Sequence, residues 1–152
     1  MRKELYTEIG IEADAEKVWS ILLDFAHYGE WNPLIRRVEG TAEVGAWLRV
    51  EIDMPDGRRL RIQPTVVTVR PRRELGWIAR LGVPGFLDGE HIFQIEALSD
   101  TRVTFIHREI FTGVLVLFLW PLLKRRLQVG FEAMNSALRG RAEAGNEQLA
   151  EQ

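Results

Sequence analysis

The sequence contains no cysteine, which excludes disulfides, thiolate nucleophiles, iron–sulfur clusters and cysteine-ligated zinc. Its three histidines, His27, His91 and His107, have no metal-motif spacing, so no metal and no cofactor is expected. Neither a glycine-rich phosphate loop nor a nucleophile elbow is present. Charge of one sign is also missing: 20 Lys and Arg against 22 Asp and Glu leave a net charge of -2. A polyanion such as nucleic acid is therefore not an expected partner, although Arg58, Arg59, Arg61, Arg70, Arg72 and Arg73 lie close together. Those arginines are expected on a solvated strand face. The opening Met-Arg-Lys-Glu lacks the apolar core of a signal peptide, which makes a cytoplasmic location the expectation. The longest apolar run, 114–123, is broken by Pro121 and is well short of the roughly 20 residues that span a bilayer.

What is present suits one globular domain. A chain of 152 residues with 46% hydrophobic and 28% charged residues can bury roughly two thirds of its unfolded surface and still enclose a hollow. No internal repeat or linker divides it, so 1–152 is expected to be a single domain with a polar tail from about 146. The strongest signal is a helix over about 115–146. Leu119, Leu123, Leu127, Phe131, Met134 and Leu138 recur at spacings of three and four and form one apolar stripe. Gly130 costs such a helix roughly 1 kcal/mol relative to Ala, so it is expected to mark a close approach of backbone to the partner surface. Pro121 places either the start of the regular helix or a bend near itself. The run 114–123, with Phe118 and Trp120 and followed by Lys124-Arg125-Arg126, is either a buried helix start or a greasy lid able to touch a membrane transiently.

The partner surface is legible upstream. Leu5, Thr7, Ile9 and Ile11 alternate with polar residues as in a half-buried strand. Asp14 fits an N-cap, and Val18, Trp19, Leu22 and Leu23 form the inner face of a short helix. A turn or second short helix ends at Asn32-Pro33, with Trp31 at the corner. Strands then follow without a further helix: 35–42, a strand carrying Leu48, Val50, Ile52 and Met54, and, after Pro55-Asp56-Gly57, the stretch 59–69. In that stretch the apolar phase slips around Pro64, which predicts a bulge. Strands over 74–81, 88–98 and 101–111 complete the sheet, giving an α+β chain of six to seven antiparallel strands.

The stretch Ala13-Asp14-Ala15-Glu16-Lys17-Val18-Trp19-Ser20-Ile21-Leu22-Leu23-Asp24-Phe25, continuing through Tyr28 and Trp31-Asn32-Pro33, resembles the opening of the START/Bet v 1-like superfamily. It is most similar to the polyketide cyclase/dehydrase and lipid-transport branch. Phe131-Glu132-Ala133-Met134-Asn135-Ser136-Ala137-Leu138 is similar to the closing helix of that group. The resemblance implies a helix-grip fold, in which a curved antiparallel sheet wraps the C-terminal helix around a pocket for a hydrophobic small molecule. It brings no catalytic signature, and the fold hosts carriers, receptors and enzymes alike.

Strand parity supplies the pocket residues. His91, Phe93 and Ile95 share a face of the penultimate strand, as Phe105, His107 and Glu109 do on the last. A turn at Ser99-Asp100 sets Ile95 opposite Phe105, Phe93 opposite His107 and His91 opposite Glu109, with the carboxylate favouring a charged imidazole. The expected ligand-binding set is Trp31, Trp77, His91, Phe93, Phe105, His107, Glu109, Leu127 and Phe131. Three functions remain open. The first is binding or carriage of a hydrophobic or aromatic molecule. The second is a cyclase- or dehydratase-type enzyme in which His91, His107 or Glu109 moves protons. The third is contact with a protein or membrane surface through 114–123. Satisfied core polar groups are the plainer account of the two histidines and the glutamate.

Overall fold

Alternating apolar residues build the sheets and the three-four stripe builds the helix that they hold. In the computed structural model, which describes residues 1–150 with side chains through Gly145, the chain runs β1 (Arg2–Ile11), α1 (Ala15–Leu23), a 3-10 turn (Phe25–His27), α2 (Tyr28–Trp31) and β2 (Ile35–Glu39). It continues as β3 (Arg49–Asp53), β4 (Arg59–Ile62), β5 (Thr65–Arg70), β6 (Glu74–Leu81), β7 (Leu87–Ser99), β8 (Arg102–Thr112) and α3 (Val116–Ala150). The polar tail expected from about 146 lies outside the fully described residues.

One antiparallel sheet has the order β1-β8-β7-β6-β5 and a second has the order β2-β3-β4. The eight strands exceed the six to seven expected. The extra one arises at Pro64, which has no N–H for a ladder: the stretch read as one bent strand divides into β4 and β5, which belong to different sheets. A further register shift falls between Val66 and Thr68, and the segment before β3 is tied to the start of β5 by the bridge between Trp47 and Thr65 and by backbone bonds such as Leu48 N–H to the Pro64 carbonyl at 2.9 Å.

Asp14 caps α1 by accepting from the Lys17 N–H at 2.7 Å, and Val18, Trp19 and Leu22 go into the core. Asn32 closes the corner before β2: its Oδ1 accepts from the amides of Leu34 and Ile35 at 3.0 and 2.8 Å.

Helix α3 begins at Val116, so Pro121 lies inside it rather than at its start. The ring leaves the Leu117 carbonyl without an amide donor, at a point where Leu117 is exposed. Downstream, Phe131, Met134, Leu138 and Ala142 enter the main core beside Leu5, Trp77, Phe93 and Phe105. Gly130 is where this helix closes on the chain: a Cβ there would stand 2.8 Å from Cδ1 of buried Leu34.

The front of α3 packs differently. Val116 joins Leu87 and Phe111 in a small second cluster, with Leu119, Trp120 and Leu127 against it. A cavity occupies the space between the two clusters.

Candidate functional site

The cavity has a volume of about 110 Å³ and is lined from both sheets and the helix. Ile52 and Met54 come from the region of β3, Leu60 and Ile62 from β4, Ala79 and Leu81 from β6, Leu87 and Gly89 from β7, Glu109 and Phe111 from β8, and Leu123 and Leu127 from α3. Glu109 is the one polar side chain in this wall. Its carboxyl occupies a niche left by Gly89, where a Cβ would stand 2.7 Å from Oε1.

The cavity lies along a seam between the sheets. The outer edge of β4 carries no partner strand, and pairing of β6 with β5 ends at Ile78. Outside the seam lies a groove of about 450 Å³, which shares Ile62, Ala79 and Leu81 with the cavity and adds exposed Trp47.

Behind Glu109, the β7–β8 register matches the parity argument: His91 pairs with Glu109, Phe93 with His107 and Ile95 with Phe105. Both histidines are buried and face α3, where the ring of Phe131 stacks on His107 at 3.9 Å and 5°. Their Nε2 atoms are 2.6 Å apart. His107 Nδ1 is 2.9 Å from Asn135 Oδ1, Asn135 Nδ2 is 2.9 Å from Thr7 Oγ1, and Thr7 Oγ1 donates to the His107 carbonyl at 2.8 Å.

That carbonyl fixes the proton on every link, because it can only accept. The Thr7 hydroxyl must donate to it and therefore accepts from the Asn135 amide N–H. Asn135 Oδ1 then accepts from His107 Nδ1–H. His107 Nε2 is bare, and His91 Nε2–H donates to it. The chain ends on His91, whose Nδ1 faces Glu109 Oε2 across 3.7 Å.

The chain needs a neutral His107, whose Nε2 accepts, and burial favours the neutral form of both imidazoles. Burial, reinforced by neighbouring His107, pushes His91 well below the usual histidine range. Burial pushes His107 down to about 3 against the opposing pull of its bonds to Asn135 and Phe131. Burial thus works against the ion pair expected between Glu109 and a charged His91. Desolvation wins over attraction, and burial also pushes the Glu109 carboxyl up to about 8.

Of the residues expected to bind ligand, Glu109 and Leu127 line the cavity. Trp77, Phe93, Phe105 and Phe131 are each at most 1% exposed and sit in the main core, and His91 and His107 form the layer between that core and Glu109. Trp31 is half-buried, edge-on to Tyr28 at 5.3 Å. Gly89 falls on the inward face that parity gives β7, with His91 and Phe93, while Asn135 is outside the expected set. Asn135 follows Phe131 by four residues and is the lone amide on the buried stripe, which is the signal that could have found it. Trp120 was placed only in the lid run, yet it is the indole beside this site, 5.7 Å from Phe111.

The run 114–123 is mostly outside the core: Val114, Leu117, Phe118 and Leu122 are exposed, as are Val83 and Phe86 of the β6–β7 loop. The Leu115 N–H donates to the Phe86 carbonyl at 3.0 Å and ties loop and helix start into one apolar surface. Among the described residues, no helix is long and apolar enough to cross a membrane, which says nothing of β-barrels.

A sheet gripping a C-terminal helix, with a cavity between them, defines the START/Bet v 1-like class. Solved structures share the fold. A START superfamily protein from Mycobacterium smegmatis has 22% identity and a TM-score of 0.75, over 93% of this chain and 97% of that one. The Zhui aromatase/cyclase from Streptomyces sp. R1128 has 18% identity and a TM-score of 0.77 over 94% of each chain. Norcoclaurine synthase from Thalictrum flavum, in complex with a transition-state analogue, has 13% identity and a TM-score of 0.74 over 96% of this chain and 97% of that one. No curated protein sequence matches. Residues 2–152 match the family described as polyketide cyclase / dehydrase and lipid transport, and the chain belongs to it.

Proposed function

We propose that the protein binds and carries a hydrophobic small molecule in the cavity between the two sheets and α3. The observation that supports this most directly is the wall itself, in which eleven of twelve lining residues are apolar or glycine and the twelfth is Glu109. Surfaces of that kind retain a dry apolar guest, and a volume of about 110 Å³ suits one small ring. A longer ligand would pass between Ile62 and Ala79 into the outer groove, where Trp47 offers an aromatic face. The comparison with an aromatase/cyclase and a synthase is compatible with an enzyme, but carriage is the reading preferred here. The cavity presents one acid–base group and no second one to work opposite it.

Native mass spectrometry of the purified protein should detect a co-purified small molecule at one per chain. Titration with small cyclic hydrocarbons should saturate a change in the fluorescence of Trp120, and Trp120→Phe should remove that change. Flat titrations with no co-purified species would end this reading.

The exposed surface of 83–86 and 114–122 supports a second role, docking on a lipid bilayer beside Leu87 and Leu123 of the cavity wall, with Lys124 and Arg125 next to anionic headgroups while Arg126 is held by Asp56 at 3.1 Å. Co-sedimentation with phosphatidylserine-containing vesicles should then fall by about tenfold in Phe118→Asp, in keeping with a buried aromatic anchor. Equal sedimentation of both proteins would exclude it.

A further inference from the structure

The wall of the cavity and the polar layer behind it meet at one group, the Glu109 carboxyl. Oε1 lies over Gly89, whose missing side chain makes its room, and Oε2 looks at His91 Nδ1. The chain Thr7–Asn135–His107–His91 puts a proton on His91 Nε2, so in the neutral imidazole that burial favours, Nδ1 carries a lone pair and no proton. An ionised carboxylate would set lone pair against lone pair, with no cation in the wall to offset it. A protonated carboxyl presents a donor instead. At 3.7 Å the His91 nitrogen is beyond hydrogen-bonding reach, so the donor is not consumed by the protein and remains available to a guest.

Among the described residues, no other titratable side chain lines this wall. Leu5 pairs with Glu109 from β1, while β3, β4, β6 and α3 contribute only apolar side chains to the wall. His91 is the sole titratable neighbour from β7, with His107 beyond it.

We propose that Glu109 determines the specificity of the cavity, donating a hydrogen bond to a carbonyl-type acceptor on an otherwise apolar, uncharged ligand. An anionic ligand is rejected, because the wall holds no cation to receive it and an ionised group in an apolar space carries a large desolvation cost. The histidine pair, Asn135 and Thr7 are positioning residues: they fix the proton on the far nitrogen of His91 and so keep the carboxyl in its donor form. This inference rests on the cavity being a ligand site.

The test uses three six-membered-ring probes with the whole protein: cyclohexanone, methylcyclohexane and cyclohexanecarboxylate. At about pH 6.5 cyclohexanone should bind about tenfold more tightly than methylcyclohexane, the value of one buried hydrogen bond. The carboxylate should not bind. At about pH 9.5, above the Glu109 carboxyl at about 8, the preference for cyclohexanone should be lost while methylcyclohexane is unaffected. Glu109→Gln, which keeps a donor and cannot ionise, should hold the preference at both pH values; Glu109→Leu should abolish it at both. On the unmodified protein, infrared difference spectra should show a protonated carboxyl stretch that shifts on adding cyclohexanone, a readout independent of any variant.

Binding of methylcyclohexane without preference for cyclohexanone would overturn the role of Glu109 and leave the ligand cavity standing. Failure of both neutral probes would remove the cavity reading and this inference with it. A carboxylate binding more tightly than the ketone would overturn the inference alone.

Discussion

Truncating Phe131 to Ala should lower the unfolding free energy by about 3–5 kcal/mol, the range for removing a large aromatic from a packed core. Phe131 is 1% exposed and lies in the main core of α3. Its ring covers His107 face to face at 3.9 Å and reaches His91 at 5.2 Å, so the substitution removes both buried apolar area and the lid over the histidine pair. Water admitted there would offer the histidines an alternative to each other and weaken the direction of the polar chain. Equilibrium denaturation in urea, with the slope unchanged, is the measurement. A loss below about 1 kcal/mol would mean that the ring borders empty space and that the main core does not extend to this turn of the helix. Because a domain of this size has a total stability of roughly 5–15 kcal/mol, the loss is a large fraction of the total.

The architecture was legible because it rests on periodicities that sequence displays directly. The stripe from Leu119 to Leu138 and the alternation of β7 and β8 each fix a face, and the two-residue period leaves only one register that buries Phe93, Phe105 and His107 together. Parity does not say how far along a face the core stays filled. Trp77, Phe93 and Phe105 have the pattern of pocket walls but are close-packed, whereas Leu81, Leu87 and Phe111, on the same strands, border the cavity. The difference comes from neighbours remote in sequence, chiefly the division at Pro64 that leaves β4 unpaired along the seam. The protonation states are hidden from the pattern for a related reason. Pairing His91 with Glu109 suggests an ion pair when only two residues are considered. The competing terms are the burial of both groups and the partner on the other side of His91, His107, whose own partner Asn135 comes from an element far along the chain.

Stability should depend on pH in a way that isolates Glu109, and the sign follows from the directions of the shifts. For the histidines, the folded values are depressed below the unfolded 6.5, so on acidification the unfolded chain takes up protons that the folded chain refuses. Their contribution is complete above about pH 6.5 and is lost as the pH falls. Glu109 is the opposite case, because its folded value is raised from 4.5 to about 8. Between those limits the unfolded chain has released a proton that the folded chain keeps, so stability declines as the pH rises, by about 1.4 kcal/mol per pH unit at most. Above about pH 6.5 only the glutamate effect remains, and wild-type stability should fall by about 1–2 kcal/mol toward pH 8. Below that point two histidines outweigh one glutamate, and stability should fall again toward acid. The maximum is therefore expected near pH 6.5. Glu109→Gln removes one limb: its stability should stay level from about pH 6.5 to 8 and fall about twice as steeply as wild type between about pH 6 and 5. His27, exposed and bonded to Asp24, is raised by that bond and acts in the opposite sense to the buried pair, but it is common to both proteins and cancels in the difference. Urea unfolding of both proteins at half-unit steps should give a difference that grows in favour of Glu109→Gln with rising pH. A constant difference would mean that Glu109 titrates normally, with water reaching it through the seam, and the carboxyl would then meet any ligand as an acceptor rather than a donor.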